Sequence, residues 1–104
     1  MLNAIKNLFV KKQQVNFAKL LNEGAQIIDV RSPGEYQTGH IKGSINIPVD
    51  QLQQHLLKLK KDKPVITCCA SGMRSGMAKR VLLSNGFTEV HNGGGWSGLQ
   101  QKIR

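Results

Sequence analysis

Two neighbouring cysteines, Cys68 and Cys69, are the only thiols of this 104-residue chain, and Cys69 sits where its sulfur could be made reactive. Residues 64–86, PVITCCASGMRSGMAKRVLLSNG, read as an apolar strand running into Cys69, a loop of Ala70, Ser71, Gly72 and Met73, and a helix beginning near Arg74. In an open parallel sheet, ligands gather beyond the carboxyl ends of the strands, and Cys69 falls at such an end. The small residues let the backbone curl so that successive N–H groups point inward as an anion nest. The helix aims the positive end of its dipole at the same point, and Arg74 adds a full charge. Such surroundings favour the thiolate over a thiol whose ordinary pKa is about 8.5. The same cradle would hold a persulfide anion or the anionic donor of its outer sulfur.

Cys68 reads differently. It lies within the strand, and period-two alternation turns it away from its neighbour, so it is expected to be a packed, unreactive thiol. A trans peptide holds the two Cα atoms about 3.8 Å apart, closer than disulfide geometry prefers. Unpaired thiols suit a reducing compartment, and the chain is expected to be cytoplasmic.

The histidines offer less. His40 follows Gly39 in a turn and is expected to pack or hydrogen-bond rather than act as a base. His55 lies on a lysine-rich helix and is expected to be solvated. His91 ends a strand without the spaced partners of a metal site, so no metal is expected.

The elements that must position Cys69 follow from apolar runs alternating with helical patterns, the rhythm of a parallel sheet flanked by helices. Strands are expected over 26–30, 44–47, 64–68 and 89–91, with a short first strand near Gln14 and Val15. Asn16 is placed to cap a helix through Leu21, with Gly24 just past its end. Asp50 is expected to cap a second helix, in which Leu52, Leu56 and Leu59 recur at helical spacing. The third helix offers Met77, Ala78, Val81 and Leu82 as its buried stripe and ends at Asn85 and Gly86, where Phe87 completes a glycine cap. A last short helix is expected over 96–103. The length fits a single domain over 1–104, with residues 1–12 read as a short helix or a flexible extension rather than a signal peptide. No apolar run approaches the ~20 residues of a membrane helix.

Fifteen Lys plus Arg against six Asp plus Glu give a net charge of +9. Lys58, Lys60, Lys61 and Lys63 fall where a solvated helix end would put them, and only 5% of the chain is aromatic. No basic–aromatic pattern of a nucleic-acid binder is present, so the charge reads as solubility with some attraction for anionic substrates.

In several separate places the sequence resembles the rhodanese-like domains. Asp29, Val30 and Arg31, followed by Ser32, Pro33, Glu35 and Tyr36, match that family's DVR-x-x-x-E-[FY] segment. Gly39, His40 and Ile41, then residues 43–48 (GSINIP), match GHI-x-GA-x-NIP. Cys69, Ser71, Gly72, Arg74 and Ser75 match the active-site loop C-x-SG-x-RS. Gly86 and Phe87, and the glycines before Trp96, match the remaining signatures.

The resemblance implies a three-layer α/β/α domain with a five-stranded, mainly parallel sheet. It implies a ping-pong sulfurtransferase in which Cys69 takes sulfane sulfur from thiosulfate or a persulfide and passes it to cyanide or a thiol, a protein donor or acceptor included. The carrier is then a covalent cysteine persulfide, with no cofactor, no nucleic acid and no membrane involved. The amides of residues 70–74 would hold its sulfur. Arg31 would draw in an anion or pair with Glu35, and Asp29 would orient the loops. The sequence departs from the family where Cys68 replaces an aromatic or apolar residue, which leaves an intramolecular sulfur relay open. It departs again where Gly93, Gly94 and Gly95 stand in for bulkier residues, which would loosen the entrance. The alternatives are a phosphatase or arsenate reductase, whose loops carry one residue more between Cys and Arg, and a noncatalytic partner-binding module of the same fold.

Overall fold

A computed structural model of the protein describes residues 14–104. The side-chain oxygen of Asn16, in extended backbone, accepts the Lys19 N–H at 3.0 Å and starts helix α1, Phe17–Asn22. Strand β1, Gln26–Asp29, leads to helix α2, Pro33–Gln37. Here Ser32 and Glu35 form a reciprocal capping box, with proline in the first turn. Strand β2, Ile45–Asn46, is followed by a 3-10 helix, Val49–Lys58, then by strand β3, Val65–Cys69. Helix α3, Met73–Ser84, strand β4, Val90–Gly95, and helix α4, Trp96–Lys102, complete the order.

The described strands form one sheet in the order β2-β1-β3-β4, with every pairing parallel. Alternation along β1 and β3 divides the core between the two faces. Ile28, Val65 and Cys69 pack with Leu52, Leu59, Ala78, Leu82 and Phe87 under the 3-10 helix and α3. Ile27, Ile66 and Cys68 pack with Phe17, Ile41 and Leu99 under α1 and α4. The result is the expected three-layer α/β/α arrangement. Buried on both faces, β3 reads as a continuous apolar run.

Several expectations need correction. The sheet has four strands among the described residues, not five, because Gln14 and Val15 are exposed and in no strand where the chain turns to cap α1. The helix expected from an Asp50 cap is a 3-10 helix beginning after Pro48, and it is kinked at His55, which leaves helical backbone angles and is half-buried rather than solvated. Its Leu52 is nonetheless fully buried, as the leucine spacing required. In α3, Met77 faces solvent and Ser75 takes the inward position with Ala78 and Leu82. The helix ends as expected, with Gly86 at φ +91° and the Phe87 N–H returning to the Leu82 carbonyl at 3.2 Å. Any element over residues 1–12 lies outside the described residues.

The largest departure is at β4, which runs through the glycines instead of stopping at His91. Glycine there permits close approach. A Cβ on Gly93 would stand 2.8 Å from the Thr67 carbonyl oxygen and 2.9 Å from Leu99, and one on Gly95 would stand 2.8 Å from the Ala70 carbonyl oxygen. The glycine run therefore closes β4 onto β3 and the Cys69 loop rather than loosening the entrance.

A Gly93→Ala substitution must displace backbone or the Leu99 side chain and is expected to destabilise the domain by about 1–3 kcal/mol. Urea denaturation checks this as a lower midpoint at unchanged slope.

Candidate active site

Cys69 is the last residue of β3, and its side chain lies on the α3 face of the sheet. The chain leaves it through exposed Ala70 and Ser71 and turns at Gly72, whose φ of +104° is a left-handed conformation that side chains oppose. That turn brings the Gly72 N–H to 2.9 Å from Cys69 Sγ, and the first turn of α3 adds the Ser75 N–H at 3.3 Å. Both are free helix-terminal donors, so the sulfur occupies the position of an anion at a helix N-terminus. Burial pushes the Cys69 thiol up, but hydrogen bonding from the Ser75 amide and side chain and from the Gly72 and Ser71 amides outweighs it and holds the thiol below its ordinary value.

Cys68 has the opposite environment. It faces the other core cluster and is fully buried, and desolvation, with Asp29 nearby, pushes its thiol up to about 12. Neighbours in sequence, the two thiols stand on opposite sides of the sheet.

Arg74 is not aimed at the sulfur. Its Nη1 and Nη2 donate to the two oxygens of Glu35 at 2.7 and 3.0 Å, a bidentate pair with both side chains more than a third exposed. The Arg74 guanidinium, with the Ser32 N–H of the capping box, holds the Glu35 carboxyl down at about 2. Glu35 thus links α2 to the helix that bears the loop.

Arg31 does not pair with the Glu35 side chain, as expected from sequence, but with Asp29. Asp29 is wholly buried and accepts the Arg31 backbone N–H at 3.0 Å, Nε at 2.9 Å and Nη2 at 2.7 Å. The remaining guanidinium donors reach the carbonyls of Gly39 at 2.7 Å and Glu35 at 3.3 Å, while Trp96 covers its face at 4.8 Å. Each of the three guanidinium nitrogens is hydrogen-bonded within the protein, so Arg31 knits β1, α2 and the following turn together instead of pointing its fork at the Cys69 loop. His40 stacks on Tyr36 with ring centroids 3.7 Å apart and bonds the Tyr36 carbonyl through Nδ1, a packing role. His91 bonds Glu89. Among the described residues, no group of three or more His, Cys, Asp or Glu could hold a metal ion.

Comparison with known proteins agrees with this geometry: the rhodanese-like domain family matches residues 14–102. The chain belongs to that family. The thiosulfate sulfurtransferase PspE of Escherichia coli (strain K12) is 41% identical over 70 residues, 65% of this chain and 67% of that protein. The uncharacterized protein YqhL of Bacillus subtilis (strain 168) is 48% identical over 68 residues, 65% of this chain and about half (54%) of that protein's length. A rhodanese from E. coli, solved with anions, is similar in structure with a TM-score of 0.68 at 36% identity, covering 72% of this chain and 91% of that one. Two of the rhodanese-like signatures thus fall at one end of the sheet: Asp29 closes β1, with Arg31 just beyond it, and Cys69 closes β3.

Beside the sulfur, Asn92 escaped sequence reasoning as a member of the site, and Trp96, which covers Arg31, escaped it as part of the rim. Ser75 lay inside the recognised loop motif, but its burial was not legible there. Asn92 carries no charge, and its position just before a glycine run is its one sequence signal.

Two predictions follow from burial and hydrogen bonding. Alkylation followed against pH should show Cys69 reacting with a midpoint below that of a free thiol, while Cys68 stays unmodified in the folded protein until pH approaches about 12. Asp29→Ala leaves the Arg31 charge buried and unpaired and should cost about 3–5 kcal/mol in denaturant titration.

Proposed function

We propose that the protein is a sulfurtransferase that carries sulfane sulfur as a persulfide on Cys69. The observation that carries this reading is the pair of amides, from Gly72 and Ser75, at 2.9 and 3.3 Å from Cys69 Sγ. They stabilise negative charge on sulfur without a general base, which suits a thiolate that must attack and later leave. Membership of the rhodanese-like family, with a relative named thiosulfate sulfurtransferase, supports the same chemistry.

With thiosulfate, the Cys69 thiolate attacks the sulfane sulfur, a new S–S bond forms at Cys69, and the old S–S bond breaks with its electron pair leaving on sulfite. The persulfide's outer sulfur is then attacked by cyanide or a thiolate, and the Cys69 S–S bond breaks to restore the thiolate. A persulfide donor, small or protein-borne, enters by the same first step with a thiolate as leaving group. The reaction needs no cofactor, since the protein carries the sulfur covalently. Neither a nucleic acid nor a membrane is part of this reading, and a reducing, cytoplasmic setting would keep Cys69 available. No helix among the described residues is long and apolar enough to cross a membrane.

A phosphatase or arsenate reductase fits the site less well. Four residues separate Cys69 from Arg74, which makes a small loop, and the Arg74 fork is engaged by Glu35 instead of converging on the pocket. A noncatalytic partner-binding module would have no use for a thiol depressed by its own loop.

Incubation with thiosulfate or a small persulfide, followed by intact mass, should show the gain of one sulfur atom and its loss on adding cyanide. Cys69→Ser should abolish the gain, and Cys68→Ala should keep it. Sulfur uptake that survives Cys69→Ser, or robust aryl phosphate hydrolysis without sulfur transfer, would overturn the proposal.

A further inference from the structure

Beside the Cys69 loop, β4 presents one side chain whose every polar atom is turned to that loop. Asn92 Oδ1 accepts the Gly94 N–H at 2.9 Å, which fixes that atom as the oxygen and the other as the amide nitrogen. Oδ1 also takes the Ser75 hydroxyl at 2.5 Å, and Nδ2 donates to the Gly72 carbonyl at 3.2 Å. The Gly72 carbonyl further accepts the Gly76 N–H at 3.0 Å, and the Ser75 carbonyl is held from β3 by Thr67 Oγ1 at 2.9 Å. Gly72 and Ser75 are the two residues whose N–H groups reach Cys69 Sγ. One carboxamide therefore grips both amide-bearing residues from the adjacent strand.

The environment makes room for it. A Cβ on Gly76 would lie 3.3 Å from Asn92 Nδ2, and a Cβ on Gly72 would lie 3.4 Å from Gly94 Cα. Glycines at 72, 76 and 94 let β4 and the start of α3 come close enough for a short side chain to bridge them.

We infer that Asn92 is a positioning residue for the sulfur site: its carboxamide clamps Gly72 and Ser75 so that their N–H groups stay aimed at Cys69 Sγ. Gly72, at φ +104° and with no side chain of its own, is held through its carbonyl, where Asn92 Nδ2 supplies the bond from outside α3 beside the Gly76 N–H and the Ser75 hydroxyl. Without the clamp the Gly72 peptide can rotate away, and the sulfur keeps its burial while losing a donor. Asn92 itself is exposed, so truncating it opens no cavity in the core.

Other groups facing Cys69 leave the test readable. Arg74 on α3 lies within Coulombic reach but is paired to Glu35, and Cys68 on β3 is neutral at ordinary pH. Asp29 at the end of β1 and Arg31 just beyond it are paired with each other, and His91 on β4 bonds Glu89. None of these pairs involves Asn92.

The clamp rests on the sulfur-carrier reading for its purpose, but not for its measurement. In a Cys68→Ala chain, the alkylation rate of Cys69 by iodoacetamide is followed against pH for the parent, Asn92→Ala and Asn92→Ser. The serine can still accept the Gly94 N–H but is too short to span Ser75 and Gly72, so it separates the turn from the clamp. Both variants should titrate about one pH unit higher than the parent, about tenfold less thiolate at a pH well below the midpoint, with urea midpoints close to the parent's. A parental profile in either folded variant overturns the inference, because a merely structural asparagine would change stability and leave the thiol alone. Sulfur uptake by the parent is measured alongside. If the parent gains no sulfur, the carrier reading fails while the alkylation profiles still decide the clamp.

Discussion

The site depends on two N–H groups meeting one sulfur. Cys69 Sγ is nearly buried, a position that by itself pushes the thiol up, and hydrogen bonding from the loop and the start of α3, with the Gly72 and Ser75 amides at 2.9 and 3.3 Å, reverses that. For both to converge, the chain must stop being a strand at Cys69, reverse through a left-handed glycine, and begin a helix within a few residues. The strand end, the glycine at 72 and the buried serine at 75 are parts of one device. Buried Ser75 is satisfied by neighbouring elements: its carbonyl accepts from Thr67 Oγ1 and its hydroxyl donates to Asn92 Oδ1.

A second tie holds the rim. Asp29 and Arg31 form a buried ion pair, and Arg31 also donates to the Glu35 carbonyl of α2 and the Gly39 carbonyl of the following turn under the Trp96 ring. Among the described residues no buried side-chain nitrogen or oxygen lacks a partner, the condition under which a buried pair fixes geometry without a large penalty. Glu35 and Arg74 make a more exposed link between α2 and α3. A carboxyl with a folded value of about 2 against an ordinary 4.5 contributes its stabilisation above 4.5 and loses it as pH falls through 2, so this link is intact at neutral pH.

Charge has a different place here from the one composition suggests. The chain carries +9, yet Arg31 and Arg74 are bound to carboxylates of the protein, and the residues of the loop, 70–73, carry no charge. Local stabilisation of an anion on sulfur comes from oriented backbone amides, which need no counter-charge and do not weaken with salt as an exposed ion pair does. The lysines at 58, 60, 61 and 63 are exposed and belong to the surface.

Much of this was legible in the sequence. Apolar runs placed the central strands, Asn16 announced its helix, and the succession of Cys69, small residues and a helix start singled out Cys69 from its neighbour, because these depend on contacts a few residues apart; the short helix capped by Ser32 was not read from the sequence. Alternation also separated Cys69 from Cys68. What the sequence left open depends on contacts across the sheet. Whether Arg31 takes Asp29 or Glu35 is decided by which carboxylate is buried beside it. The three glycines before Trp96 looked like slack until β4 was seen lying 2.8 Å, by an added Cβ, from the Thr67 and Ala70 carbonyls. Asn92, twenty residues from Gly72, becomes part of the sulfur site only when the parallel pairing of β3 with β4 sets Thr67 opposite it. The sequence by itself determined that Cys69, not Cys68, stands where a strand gives way to a small-residue loop and a helix, since strand, turn and helix are local. Only the tertiary structure decided what holds the donors to Cys69 Sγ in place, since those bonds join segments that meet nowhere but in the fold.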